Sequence, residues 1–315
     1  MDERLSRKGL FHLCMVYSVW STTYLAMRVG VGFSSGFPPF MFGLLRMPVA
    51  ALILFAIARV QGLTMKPTSA EWWSLCITGN LLWVCGHGLI LWASQYADSG
   101  FTCLMASSAP LWAAVIELFF YKKRISVPLI ISLLVGFAGI AILSSSSLGQ
   151  KGTTGFLVIL ALVLAPLGWA LGSVVQARRP VNLAPQVMSA YHHLSASVGF
   201  LVVSMLLREP APHPTPVAWA AWAYLVVFAS IFAFTSYVIA LKLLPINIVM
   251  TYAYVNPVLA LFLGWLLLGE PVTLRTLMGA GLVLLSVFAI FNVRRAKGAL
   301  VPQAAGVPPT RTDTP

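Results

Sequence analysis

Charge is what this chain has least of. Only 9% of its 315 residues are charged and 59% are apolar, which leaves too little polar surface to coat a soluble globule of that length. Several chemical signatures are missing too. No Walker A pattern occurs, which argues against ATP-driven pumping by this chain. HExxH is absent, and the adjacent His192 and His193 cannot put both rings on one helix face as two metal ligands need. There is no GxSxG nucleophile elbow, and the serine run Ser144 to Ser147 has no base near it in sequence. The four cysteines, Cys14, Cys76, Cys85 and Cys103, form no CxxC pair and read as small buried hydrophobes. Nothing in these patterns calls for a cofactor or a metal, and catalysis has no foothold.

What is present in quantity is long apolar segments. They fall at roughly 10–29, 38–60, 72–93, 99–121, 126–144, 155–176, 186–206, 217–241, 247–268 and 273–292, each near the ~20 residues a helix needs to cross a bilayer. Barrel strands would be half as long and would alternate in polarity. The fold class expected is therefore an all-α integral membrane protein with ten transmembrane helices. Connections such as Phe33 to Gly36, Tyr121 to Arg124 and Arg208 to Pro210 are short, so no soluble domain fits between spans. Arg4, Arg7 and Lys8 before the first apolar run resemble a secretory leader, but no small-residue cleavage site ends that run and nine spans follow. Residues 299–315 are rich in Pro and Thr and are expected to be a disordered tail.

The net charge of +12 does not point to nucleic acid once it is placed along the chain. With the amino terminus in the cytoplasm, 15 of the 20 Lys and Arg lie on that face, and Arg28, Lys151, Arg208 and Arg275 on the other. Arg46 lies within a span. This positive-inside bias puts both termini in the cytoplasm and also suits contact with anionic lipid headgroups.

The chain reads as one unit written twice. Ala93 precedes Pro110 by 17 residues (110−93), and Ala240 precedes Pro257 by the same 17 (257−240), an offset of 147. At that offset Ser132 and Gly139 fall on Gly279 and Ser286, while Trp20 and Trp169 match at 149. The two copies are 8–145 and 153–295. Five spans per copy is odd, so the second copy is inverted, a build common among secondary transporters with a site at mid-membrane.

Polar groups inside a bilayer are costly unless they meet a partner or a wet cavity. In the third span Asn80, Val84, His87, Gly88 and Leu91 recur at helical spacing as one stripe, its polar and small members turned inward. His87 is the only histidine placed well inside a span; it either holds a substrate group or is satisfied by a neighbouring carbonyl. The repeat sets Phe234 and Thr235 opposite His87 and Gly88, and His192 opposite Arg46. Arg46 could snorkel outward, meet helix carbonyls or attract a substrate carboxylate. Trp20, Tyr24, Trp169, Tyr252 and Tyr254 lie at or near mid-depth, where an interfacial belt does not explain them, and rings suit flat apolar or cationic guests. Pro110, Pro166 and Pro257 interrupt spans there and free backbone carbonyls.

Ten spans as five plus five, Trp20-Ser21-Thr22-Thr23 in the first span, the Pro110/Pro257 pair and Leu268-Gly269-Glu270-Pro271 closing the ninth resemble the EamA-type drug/metabolite transporters over residues 8–295. Within that superfamily the chain looks most similar to the bacterial YddG-type exporters of aromatic amino acids. The resemblance implies a multi-pass protein of the bacterial inner membrane. Spans 1, 3, 4, 6, 8 and 9 would line a central cavity, with spans 5 and 10 peripheral. Lys123, where the other copy has Glu270, departs from symmetry.

The expected function is secondary transport, not catalysis: export of small amphipathic metabolites, amino acids including aromatic ones, by alternating access. The candidates to hold substrate are Trp20, Tyr24, His87, Trp169, Tyr252 and Tyr254, then Gly88, Ser107, Ser108 and Asn256. The partners expected are the small-molecule substrate and membrane lipid, for a monomer. With no carboxylate at mid-depth, a facilitator is preferred over proton exchange, and any coupling falls to His87. Another metabolite or cationic drug class, or a lipid-modifying membrane enzyme, are the alternatives; the enzyme would want Asp, Glu or His clustered at one membrane face. A passive channel would want a continuous polar stripe on several helices.

Overall fold

The computed structural model describes residues 6–121, 127–148, 152–179, 181–244, 249 and 252–296. Every regular element among them is helical. α1 runs Arg7–Val31 and α2 Pro39–Val60. α3 is one rod made of Ser69–Gly79, a π-helical stretch Asn80–Gly88, and Leu89–Ala93. α4 is broken into Ser99–Ala106 and Ala109–Tyr121. α5 is Val127–Leu148, α6 Gly152–Arg178 and α7 Pro185–Leu206. α8 joins Pro216–Tyr224, a π-helical stretch Leu225–Ala233, and Phe234–Leu243. α9 is Tyr252–Leu268 and α10 Leu274–Ala296. The expected tail at 299–315, Lys123 and the side chains of Ser144 to Ser147 lie outside the described residues.

Helix ends follow local chemistry. α3 begins three residues before its apolar run because Thr68 and Glu71 form a capping box. The break in α4 comes just ahead of Pro110, which cannot donate to the preceding turn. Ser107 Oγ donates to Cys103 O at 2.9 Å and Ser108 Oγ to Met105 O at 2.6 Å, so the carbonyls at the break are taken up on the spot.

Among the described residues, five helices are long and apolar enough to cross a membrane, at Pro39–Val60, Ser69–Ala93, Ser99–Phe120, Thr153–Gln176 and Pro216–Tyr237. Val127–Leu143, Val255–Leu268 and Leu274–Ile290 are shorter apolar helices. The outer surface fits hydrocarbon: Phe119, Leu134, Phe156, Val198, Phe232, Phe262, Leu285 and Phe288 are all exposed, a continuous apolar coat that water would not tolerate. α7 is the polar member among the central helices. It buries Ser189, His192, His193, Ser195, Ser197 and Ser204.

The repeat is visible in how helices pair. α1 packs against α8 and α9, and α6, five helices later, packs against α3 and α4. α2 pairs with its own counterpart α7, and α5 with α10. The α5–α10 seam is built from the sequence landmarks themselves. Ser286 Oγ donates to Ser132 O at 2.5 Å, and a Cβ on Gly139 would lie 3.0 Å from Gly279 O. The two π-helical stretches also correspond, at an offset of 145 (225−80 and 233−88). Five helices per unit forces the second to enter from the opposite side.

Candidate functional site

The densest polar cluster inside the bundle surrounds Trp83 of α3. The π-helical stretch puts Trp83 and His87 side by side, ring centroids 4.7 Å apart. Trp169 of α6 closes on His87 at 5.2 Å and on Trp83 at 6.2 Å, and His193 of α7 lies 4.4 Å from Trp83. Arg46 of α2 places its guanidinium carbon 5.7 Å from the Trp83 centroid, within cation–π range. Arg46 is 1% exposed and His193 0%. Arg46 Nε and Nη2 donate to Ser230 Oγ of α8 at 3.3 and 3.0 Å, and no carboxylate among the described residues pairs with it.

His193 Nδ1 donates to Ser189 O at 2.7 Å, so Nε2 is the ring atom left over. Arg46 Nη1, His87 Nδ1 and His193 Nε2 are all buried without a hydrogen-bond partner. Buried polar atoms are rarely left so.

A second aromatic cluster lies between α1, α8 and α9. Trp20 meets Tyr237 at 5.2 Å and Tyr252 at 5.1 Å, and the two tyrosines meet at 5.8 Å. The hydroxyls beside it on α1, those of Ser21 and Thr22, are occupied. Ser21 Oγ donates to Tyr17 O and shares that proton at 3.3 Å with Asn256 Oδ1, and Thr22 Oγ1 donates to Val19 O while bonding Tyr224 Oη. Tyr24 packs half-buried on the core beside it. The side chain of Tyr254 lies outside the described residues.

The structure separates the ten candidates accordingly. His87 and Trp169 share the first cluster; Trp20, Tyr252 and Asn256 belong to the second. Gly88 faces a helix seam: a Cβ there would stand 3.2 Å from both Phe200 and Phe40. Asn80 and Val84 turn the same way, towards Gly199 of α7, so the expected inward stripe is a helix contact from which His87 departs. Ser107 and Ser108 serve the break in α4.

Sequence reading missed Trp83, His193 and Ser230. His87 is also not alone at depth, because both histidines of α7 are buried. Of these two, His193 faces the Arg46 cluster, while His192 Nε2 bonds Thr78 Oγ1 at 3.0 Å. One signal was available: the 147 offset of the alanine and proline landmarks carries Arg46 onto position 193 (46+147). A comparable ring pair, Tyr237 with Trp20, stands at offsets of 150 (237−87) and 149 (169−20) from His87 and Trp169.

A cleft of about 760 Å3 opens at the end of the bundle away from the start of α1. Helix ends wall it, with Arg28 from α1, Phe33 just after it, Gln95 after α3, Asp98 before α4, Thr215 before α8 and Glu270 after α9. None of the ten candidates lines it. Glu270 is fixed because Gly269, at φ 64°, ends α9 in the left-handed conformation. The Glu270 carboxylate then accepts from Ser99 N, Ser99 Oγ and Gly100 N at the start of α4, tying the second half to the first. At the other end of the bundle Leu13, Ala240, Leu244 and Val249 form a buried plug against which Tyr17 and Tyr237 pack.

The sequence profile of the EamA-like transporter family matches residues 7–145 and 156–292. The chain is 28% identical over 288 residues to the uncharacterized inner membrane transporter YedA of Escherichia coli, covering 90% of each. It is 25% identical to the uncharacterized transporter YoaV of Bacillus subtilis, covering 89% of this chain and 96% of that one. A WAT1-related chloroplastic protein of Arabidopsis thaliana is 22% identical over 86% of this chain. A solved crystal structure at 20% identity shares the fold, with a TM-score of 0.63 over 92% of this chain and 98% of that one.

Proposed function

Since this chain belongs to the EamA-like transporter family, we propose that it exports small amphipathic metabolites, amino acids including aromatic ones, by alternating access across a bacterial inner membrane. Both termini lie in the cytoplasm in this reading. The observation that carries it is the asymmetry between the two ends of the bundle. One end holds a cleft of about 760 Å3 and the other is plugged by Leu13, Ala240, Leu244 and Val249. A volume of that order suits a small metabolite, and a bundle accessible from one end and packed shut at the other would be one state of a two-gate cycle.

Below the cleft, Tyr24 sits one helical turn from Arg28, roughly 6 Å along α1. The Trp83, His87 and Trp169 cluster offers rings for a flat guest. The ring pair of Trp20 with Tyr237 rests on the plug, so it is placed to act in opening the cytoplasmic gate. Energy coupling is facilitative, driven by the substrate's own gradient.

The test is flux in lipid vesicles containing this protein alone. Labelled phenylalanine should exchange saturably and be competed by other amino acids more strongly than by nucleosides or organic cations. Flux no greater than in empty vesicles for every class would overturn transport; competition by organic cations alone would move the substrate to the cationic class.

A further inference from the structure

The cluster around Trp83 has an unmet demand for negative charge. Arg46 is held by the Trp83 ring, 5.7 Å from its guanidinium carbon, and by Ser230 at Nε and Nη2. Its Nη1 edge is unoccupied, buried, and without a carboxylate among the described residues to answer it. His193 Nε2 and His87 Nδ1, whose rings both lie against the same indole, are unoccupied as well. A fixed cation sealed from water is unfavourable alone, and guanidinium is the side chain whose donors best match a planar oxyanion.

We infer that Arg46, with Ser230 as its holder and His193 beside it, forms an anion subsite that takes the carboxylate of the transported molecule while Trp83, His87 and Trp169 contact its apolar body. This rests on the transport reading and narrows it to carboxylates. It also brings α2 and α7 into the binding site, whereas the resemblance implied a lining by spans 1, 3, 4, 6, 8 and 9.

The geometry sets the order of preference. An aryl carboxylate satisfies both Arg46 Nη1 and the rings. The matching amide keeps the body but loses the charge-assisted bond, and the matching amine puts a second cation beside Arg46. A site built around a charged hydrogen bond discriminates at about tenfold or more.

Three probes of one shape, 3-phenylpropionate, 3-phenylpropanamide and phenethylamine, should therefore be titrated into the full-length purified protein, following tryptophan fluorescence, and then tested as competitors of phenylalanine flux. The wild-type chain should bind the acid at least about tenfold more tightly than the amide and should bind the amine least. Arg46→Gln should bring acid and amide to equal affinity while the amide's own affinity moves less than about threefold. Ser230→Ala, which leaves the charge but frees its holder, should weaken the acid by an intermediate factor, and it carries the test if Arg46→Gln does not fold.

Equal affinity of acid and amide in the wild-type chain would overturn the subsite, and so would an acid affinity untouched by a folded Arg46→Gln. These outcomes separate from failure of transport itself. A chain that carries phenylalanine but ignores the acid–amide difference keeps its transport function and loses only this subsite.

Discussion

The two aromatic clusters are versions of one arrangement, and they differ in what is left over. In each, a tryptophan on the first helix of one half leans on a ring of the third helix of the other half, Trp169 on His87 and Trp20 on Tyr237, both at 5.2 Å. Around Trp20 the hydroxyls of Ser21 and Thr22 are taken up by Tyr17 O, Val19 O, Asn256 and Tyr224, and no atom of Trp20, Tyr237 or Tyr252 is buried without a partner. Around Trp83 three polar atoms have nothing. An unsatisfied buried polar group costs about 1–3 kcal/mol, so the bundle carries a standing penalty at one of its two clusters, shared by residues of both halves, that a ligand could relieve. A two-fold scaffold has thus become one closed half-site and one open one. The closed one rests on the plug, while the open one holds the buried cation.

This division breaks most severely at the seam that positions His193. A Cβ on Gly79 of α3 would stand 2.3 Å from Ser195 Oγ and 2.9 Å from the backbone of His192. Gly79→Val therefore has to drive α3 off α7, at a cost of about 3 kcal/mol or more, read as a large drop in melting temperature and folded yield in detergent. Gly281 of α10 has nothing within 4 Å of its added Cβ, so Gly281→Val should change stability by no more than about 0.5 kcal/mol. If the two variants melt alike, the close approach of α3 and α7 is not what holds the open cluster together.

Next in size is a matched pair of truncations. Trp169→Ala and Trp20→Ala each remove a half-buried indole with similar ring contacts, and each should cost about 2–4 kcal/mol. Their effects on flux should part. Trp169→Ala should raise the half-saturating phenylalanine concentration by about tenfold or more, as expected when one aromatic contact of ~1.4 kcal/mol is lost. Trp20→Ala should mainly lower the maximal rate, because its ring pair bears on the plug. Should both variants change the same parameter by the same factor, the two clusters act as one site and the distinction falls.

Much of this architecture could be read from the amino-acid order. The span predicted at 186–206 is Pro185–Leu206, and Ser132, Gly139, Gly279 and Ser286, picked out only as repeat landmarks, turn out to touch. Apolar runs fix helix number because a bilayer accepts little else. They do not fix rotation. In hydrocarbon nearly every face is apolar, so the pattern that orients a helix in water is gone, and the π-helical stretch at Asn80–Gly88 shifts the spacing where it mattered. His87 was therefore placed with Gly88 on a stripe that the structure divides. Arg46 was legible as a buried charge, whereas its neighbours come from α3, α7 and α8 and leave no local trace.

A smaller effect tests whether the closed cluster is as self-contained as its hydrogen bonds suggest. Ser21 Oγ links α1 to Asn256 of α9 at 3.3 Å, a long bond worth about 0.5–1.5 kcal/mol. Ser21→Ala should lower stability by that amount and leave the acid-to-amide preference untouched. A lost preference would mean that the two clusters are coupled through α1.

The smallest expected effect falls on the residue that sequence reading ranked as the sole proton carrier. His87 lies tilted against both Trp83 and Trp169 with Nδ1 unpartnered, and it does not line the cleft at the open end. Proton coupling would require it to exchange with water on both sides in turn. Glutamine keeps a donor and an acceptor of similar reach but cannot titrate, so His87→Gln separates contact from charge. For a facilitator, flux measured from about pH 5.5 to 8.5, the range over which an ordinary imidazole titrates, should keep the wild-type pH profile even where the lost ring contact lowers its level. A profile that flattens on substitution, with binding of 3-phenylpropionate retained, would make His87 the coupling group. The open half-site would then move protons as well as substrate, and facilitated export would have to be abandoned.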